Sequence, residues 1–214
     1  NTPEMALRGD GTHVPRLVAG SAAANGAWAG GVAHAEDSAH LVTGGSGALG
    51  VLTACWLAES DPLVHLVLVS RSGALSSEAA AKLEASNADP LTTRCDAAEM
   101  LEMRALVARM QFVLPPVRGV WHTAGVLADG LLVRQDASMM RRAHGAKAGG
   151  ACHLQQATAA APLSACVLFS SIAALYMSVA QANYAAANEC LDALAEHRVA
   201  RAQHAVSVQW GPWA

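Results

Sequence analysis

Ser170, Ser171, Tyr184 and Asn188 lie in one stretch, CVLFSSIAALYMSVAQANYAAAN, and their types suit hydroxyl and proton chemistry. The apolar run Cys166-Val167-Leu168-Phe169 is short enough for one buried strand of a parallel sheet. The two serines follow where such a strand would end. A loop of small residues then leads to Tyr184, in an Ala-rich segment that favours helix. Tyr184 and Asn188 are four apart, so a helix places them on one face. A hydroxyl at the carboxyl end of a strand and a phenol on the next helix can converge on one point, and open α/β sheets bind their ligands there. A buried strand with an ordinary polar loop would use the same residues.

A second set suits a nucleotide. Ala39-His40-Leu41-Val42 reads as a short strand running into Thr43-Gly44-Gly45-Ser46-Gly47-Ala48-Leu49-Gly50, with a helical pattern over 51–58. Strand, Gly-rich turn and helix form the context of a dinucleotide fingerprint. Glycine lets the backbone turn tightly and approach a pyrophosphate, and the helix N-terminus offers free N–H groups to it. A tight βα turn without a ligand is the plainer alternative. The next strand, His65 to Ser70, ends at Ser70-Arg71-Ser72-Gly73 with no acid to hold a ribose 2′-hydroxyl. An arginine flanked by hydroxyls suits a 2′-phosphate and points to NADP, although a solvated surface arginine is the competing account.

These groups need a scaffold, and the chain supplies an alternation of strands and helices. A helix is expected over Ser76 to Ser86, capped by Ser76 or Ser77, and a strand over Leu91 to Cys95. Asp96 then lies near an adenine, or equally caps a helix over 97–110. Pro115-Pro116 precedes a strand over Val117 to Thr123, which meets the small residues Ala124-Gly125. A mostly helical segment from Met139 to Gln156 carries Lys147, by residue type a solvated lysine, and Val206 to Trp210 forms a last strand. The fold class is α/β, a Rossmann-like doubly wound parallel sheet.

Composition agrees. The 214 residues are 53% hydrophobic and 14% charged with net charge −3. That suits a sheet covered on both faces and gives no sign of a nucleic-acid or acidic-lipid partner. The five cysteines form no CxxC pair, as expected of reduced thiols in a cytoplasmic compartment. Nine histidines include no metal spacing, which leaves His122 and His144 as packing or surface residues. The stretch between Lys147 and Glu189 lacks Asp, Glu, Lys and Arg, but Gln155, Gln156, Gln181, Asn183 and Pro162 interrupt it, so it reads as a buried domain centre rather than a membrane span. No targeting segment is recognisable. Ser170 and Ser171 lack the GxSxG context of a hydrolase elbow.

Taken in order, TGGSGALG, LVLVSRSG, CDAAE, WHTAGVLADG, LFSSIAAL, QANYAAANECLDALA and VQWGPWA resemble the successive signatures of the ketoreductase domain of modular polyketide synthases, within the short-chain dehydrogenase/reductase superfamily. The resemblance runs from about His40 to the C-terminus. It implies a catalytic domain over 36–214, with 1–35 a linker and remnant of a structural subdomain. Met5 to Arg8 and Val14 to Leu17 are similar to the linker strand of such synthases, Leu17-Val18 closes a short strand, and 19–31 reads as linker.

The resemblance further implies reduction of a β-ketoacyl thioester, carried by the phosphopantetheine of an acyl carrier protein, beside neighbouring synthase domains. Tyr184 becomes the proton donor, Ser171 the carbonyl-orienting hydroxyl, Lys147 the residue that holds the nicotinamide ribose and assists the tyrosine, and Asn188 their polar partner. NADPH is expected along Thr43, Gly44, Gly45, Ser46, Gly47 and Leu49, then Ser70, Arg71, Ser72, Asp96, Ala97, His122, Ala124 and Gly125, with Lys147 and Tyr184 at its reactive end. Much of the superfamily keeps a lysine four after the tyrosine, where this chain has Asn188. Polyketide ketoreductases place it upstream, as Lys147 is placed here.

Some positions depart from the family. Leu127-Ala128-Asp129 is similar to its Leu-Asp-Asp marker with the first aspartate replaced. Asp129 implies the B-type product with a D-hydroxyl, whereas Tyr176 stands where A-type members carry tryptophan. Thr123 replaces a small alanine. The lid and last helix that follow GPWA in the family are expected beyond Ala214, so the chain reads as a C-terminally truncated piece of a larger protein. Two other functions share the Gly-rich turn: a nucleotide-sugar epimerase or dehydratase, against which Asn188 counts, and a silent reductase-fold scaffold, against which Lys147, Ser171, Tyr184 and Asn188 together count.

Overall fold

The computed structural model describes residues 6–8, 11–13, 37–176 and 179–211. The chain divides into two units, Asn1–Ala33 and His34–Ala214. In the first, β1 (Ala6–Arg8) pairs antiparallel with β2 (Gly11–His13), Ala6 opposite His13. The expected strand at Leu17-Val18, the linker over 19–31 and the final Pro212-Trp213-Ala214 lie outside the described residues.

The second unit is built on six parallel strands: β3 (Ala39–Thr43), β4 (His65–Ser70), β5 (Leu91–Arg94), β6 (Val117–His122), β7 (Ala165–Ser171) and β8 (Val206–Trp210). Their order across the sheet is β5-β4-β3-β6-β7-β8. Counted from β3, this is the 3-2-1-4-5-6 order of a Rossmann fold, and the order reverses between β3 and β6. A crevice opens there, outside the carboxyl ends of the strands.

Continuous apolar runs build this sheet because both faces are covered. Successive residues point to opposite sides. Leu41, Val69, Val120 and Leu168 join Met103 and Leu191 in one core cluster, whereas Val42, Leu68, Trp121 and Phe169 join Val51 and Leu57 in the other. Helices α1 (Ala48–Ser60) and α2 (Ser77–Ala85) cover the second face; α3 (Met100–Val113), α5 (Gly150–Ala157) and α6 (Ala182–Val199) cover the first. Among the described residues no helix is long and apolar enough to cross a membrane.

Two local expectations are corrected. The helix after Asp96 starts at Met100, because Asp96 Oδ1 accepts the Ala98 N–H at 2.9 Å and its carbonyl accepts the Glu99 N–H, closing a separate turn. The segment carrying Lys147 is helical, as expected, though not one regular helix. It runs as α4 (Ala137–His144), a π-turn (Gly145–Gly149) and α5. The solvated lysine is the second correction, since Lys147 is only 4% exposed.

Candidate active site

The crevice at the switch point is a cleft of 610 Å³. Thr43-Gly44 at the end of β3 forms one side, and Thr123, Ala124 and Gly125 after β6 form the other. Gly44 sits at φ +69°, and a Cβ there would lie 2.8 Å from the Ala124 backbone, so only glycine fits this close approach. Thr123, where the family resemblance led to an alanine, donates its hydroxyl to the Thr43 carbonyl at 2.7 Å and ties the two strand ends together.

The donors around the cleft fit a phosphorylated dinucleotide. Gly47 caps α1 with no side-chain hydrogen bond, and the first turn carries no acid. Among the described residues no side-chain cap competes for the N–H groups of that turn, which suits an anion there. At the end of β4, Ser70 Oγ lies 3.2 Å from Ser72 Oγ, with Arg71 exposed between them. A guanidinium flanked by two hydroxyls matches a ribose phosphate. Asp96 and Ala97 line the same cleft.

A second pocket of 230 Å³ shares Thr123, Gly125 and Val126 with this cleft and holds Leu49, Leu127, Lys147, Ser170, Ser171 and Tyr184. Separate elements supply the polar groups. Ser171 ends β7, where its hydroxyl accepts from the Ala173 N–H at 3.2 Å and donates to the Trp210 carbonyl at 3.4 Å. Tyr184 stands in the first turn of α6. Lys147 reaches in from the π-turn, donating from Nζ to the Phe169 carbonyl at 2.7 Å, 5.2 Å from the centre of the Tyr184 ring. Burial lowers its pKa from 10.5 to about 8, opposed by the charge of Asp192.

Asn188 lies under this pocket, fully buried, and donates from Nδ2 back to the Tyr184 carbonyl at 2.8 Å. Among the described residues its Oδ1 has no hydrogen-bond partner, which leaves it as an acceptor for a further donor. Asp129 is exposed and accepts from the Gln181 amide at 3.0 Å. Asn183 donates to the Ala128 carbonyl at 2.8 Å, so the segment over 127–130 is fastened to the start of α6. Tyr176 is exposed after β7 and does not line the pocket.

Two expected cofactor-lining residues are not at the cleft surface. Gly45 is packed beneath it, where a Cβ would lie 2.6 Å from Leu68 Cβ. His122 is wholly buried below the floor, with one ring nitrogen 2.7 Å from Thr43 Oγ1 and the other 2.8 Å from the Lys147 carbonyl. Residues missed in the sequence include Trp210 and Gly211, which wall the smaller pocket. They follow a strand end, the same signal that singled out Ser171. Asp192 was also missed. It accepts from Ser207 Oγ and from Gln209 Nε2, the latter at 2.8 Å, bracing α6 against β8.

A model of the KR domain family matches residues 38–214. The phenolphthiocerol synthesis polyketide synthase Pks15/1 of Mycobacterium marinum is 40% identical over 83% of this chain, which spans 9% of that protein. An A-type ketoreductase from a modular polyketide synthase superposes with a TM-score of 0.77 at 36% identity, covering 99% of this chain and 45% of its own. A C2-type ketoreductase, also from a modular polyketide synthase, superposes with a TM-score of 0.81 at 31% identity, covering 98% and 44%. The chain thus spans less than half of each protein it matches here.

Proposed function

The chain belongs to the KR domain family, the ketoreductases of modular polyketide synthases, and we propose that it reduces a β-ketoacyl thioester on an acyl carrier protein to the β-hydroxyacyl thioester with NADPH. The observation that carries this reading is the convergence of Lys147, Ser171 and Tyr184 in one pocket that opens beside the glycine-lined cleft. The acyl carrier protein and neighbouring synthase domains follow as partners, since the chain matches one part of much longer synthases.

NADPH, when bound, supplies the hydride; Gly44, Gly47 and the start of α1 would hold its pyrophosphate, and Ser70, Arg71 and Ser72 its 2′-phosphate. The protein does the rest. Ser171, whose oxygen is held by its own turn, orients the ketone oxygen by turning its one hydroxyl proton to it from the long 3.4 Å contact with the Trp210 carbonyl. The negative charge that grows on that oxygen needs a donor aimed at it as it forms, and Tyr184 gives up its phenolic proton there. Lys147, buried and held by the Phe169 carbonyl, sets a positive charge beside the phenol. Asn188 stands ready to receive a donor at Oδ1 as the proton is replaced. Leu49, Leu127 and Phe169 supply apolar walls to the pocket.

NADPH oxidation in the presence of a β-ketoacyl thioester tests the proposal. Tyr184→Phe is expected to lose roughly 10²–10⁴-fold in turnover while still binding NADPH. Near-normal turnover of that variant would sink the assignment. A wild-type protein that binds NADPH but never oxidises it with a β-ketoacyl substrate is a scaffold instead.

A further inference from the structure

We propose that His122 is a positioning residue: from beneath the cleft, its ring fixes the carbonyl of Lys147 and thereby the π-turn that aims the Lys147 side chain at Tyr184. The consequence for catalysis rests on the reductase reading above; the positioning itself does not.

His122 is the last residue of β6 and has no solvent exposure. Its Nε2 lies 2.8 Å from the Lys147 carbonyl oxygen, which can only accept, so Nε2 carries the proton. Nδ1 is then a bare acceptor, and the Thr43 hydroxyl donates to it at 2.7 Å. Both nitrogens are satisfied in one neutral tautomer. Burial keeps the ring neutral by lowering its pKa to about 4.

The turn above the ring is the unusual part. A π-turn adds one residue to a helix and rotates what lies on either side of it, and such turns cluster at functional sites. Over Gly145–Gly149, the Gly150 N–H is shared between the carbonyls of Gly145 and Lys147. The Lys147 carbonyl therefore takes a second donor from outside the helix, and that donor is His122.

The fit is close. A Cβ on Gly150 would stand 2.9 Å from His122 Cε1 and 3.1 Å from Ala97 Cβ, so the start of α5 rests directly on the imidazole. His153, one turn further, bonds from Nδ1 to the Ala97 carbonyl at 3.0 Å. Lys147 is thus held at both ends, by His122 at its carbonyl and by Phe169 at its ammonium. The charged and titratable groups facing it are Tyr184 and Asp192 on α6 and His122 on β6.

The chain contains only two lysines, Lys82 and Lys147, so lysine side-chain NMR in isotopically labelled protein gives two titrations, the exposed Lys82 being the internal control. Without cofactor, Lys147 is expected near pKa 8 in the wild type. His122→Leu removes the donor, and Gly150→Ala pushes α5 off the ring. Each is expected to raise the Lys147 titration by about one unit or more as the ammonium escapes burial, and to lower ketoreduction roughly tenfold or more. His122→Gln, whose amide reaches as far as Nε2, should keep the Lys147 titration within about half a unit of wild type.

An unmoved Lys147 titration in His122→Leu and Gly150→Ala overturns the proposal, as does a His122→Gln that shifts as far as His122→Leu. Should His122→Leu fail to fold, Gly150→Ala and His122→Gln decide it between them. A wild type without turnover removes the reductase reading and leaves the titration result standing.

Discussion

Lys147 Nζ stands 5.2 Å from the centre of the Tyr184 ring, although one residue belongs to a π-turn and the other to α6. The ammonium keeps its place against a desolvation cost, and that cost has a pH signature. An unfolded lysine titrates near 10.5 and the folded one near 8. Between those values the unfolded chain binds more protons, so stability rises with pH across the window and the penalty is fully present below pH 8. Its size is on the order of 3 kcal/mol.

Lys147→Met should therefore remove turnover without a matching loss of stability at neutral pH. Comparing wild type with Lys147→Met by denaturant unfolding from about pH 8 to about pH 10.5 isolates the lysine from the buried thiols, whose raised pKa values act with the opposite sign. A difference between the two proteins that stays flat over that range would contradict the burial of Lys147.

His40 and the equally buried His122 share the acid side, and His40 can be tested by itself. It is 2% exposed, accepts from the Trp121 indole at 3.3 Å, and burial lowers its pKa to about 4. Unfolded histidine titrates near 6.5, so stability is lost as pH falls from there towards 4. His40→Gln should shift the acid-unfolding midpoint to lower pH, read by circular dichroism. An unchanged midpoint would mean that His40 is not the group being protonated.

Asp192 joins stability to the site. Its two oxygens accept from Ser207 and Gln209 on β8, and its charge raises the pKa of Lys147. Asp192→Asn replaces one acceptor with a donor, at an expected cost of about 1–3 kcal/mol. The Lys147 titration should also move below its wild-type value. A stability loss with that titration unmoved would leave Asp192 a brace and nothing more.

Two glycines of the turn separate folding from binding. Gly45→Ala brings a Cβ within 2.6 Å of Leu68 Cβ and 2.9 Å of Leu68 Cα, so the variant should lose about 1–3 kcal/mol by overpacking. Gly47 is exposed at φ −82°, and an alanine methyl there would stand 3.2 Å from the Gly44 carbonyl oxygen. Gly47→Ala should melt close to wild type yet bind NADPH at least about tenfold more weakly, because the methyl occupies the anion's approach. Fluorescence titration beside thermal melts checks both. Equal NADPH affinity in Gly47→Ala would place the pyrophosphate elsewhere.

Asp129 carries the stereochemical part of the proposal. Held by Gln181 beside the start of α6, it is expected to direct formation of the D-hydroxyl product, and Asp129→Ala to yield a mixture. Chiral chromatography of the product reads this directly. An L-hydroxyl product from the wild type would assign control to the Tyr176 side instead.

Much of the molecule is legible in its residues. The apolar runs at β3, β4, β6 and β7, the glycines between β3 and α1, and the spacing of Tyr184 and Asn188 are local patterns. A strand's period and a turn's need for glycine do not depend on distant contacts. The lysine is different. By type Lys147 belongs on a solvated face, and only packing decides otherwise: a π-turn redirects its side chain, His122 holds its carbonyl, and Phe169 takes its ammonium. His122 reads as a packing or cofactor-lining residue for the same reason, since its partners Thr43 and Lys147 come from other elements. Local sequence determined which elements form and which residues stand at strand ends. The buried electrostatics of the site, set by hydrogen bonds between residues far apart in the chain, were decided only when the strands and helices closed around them.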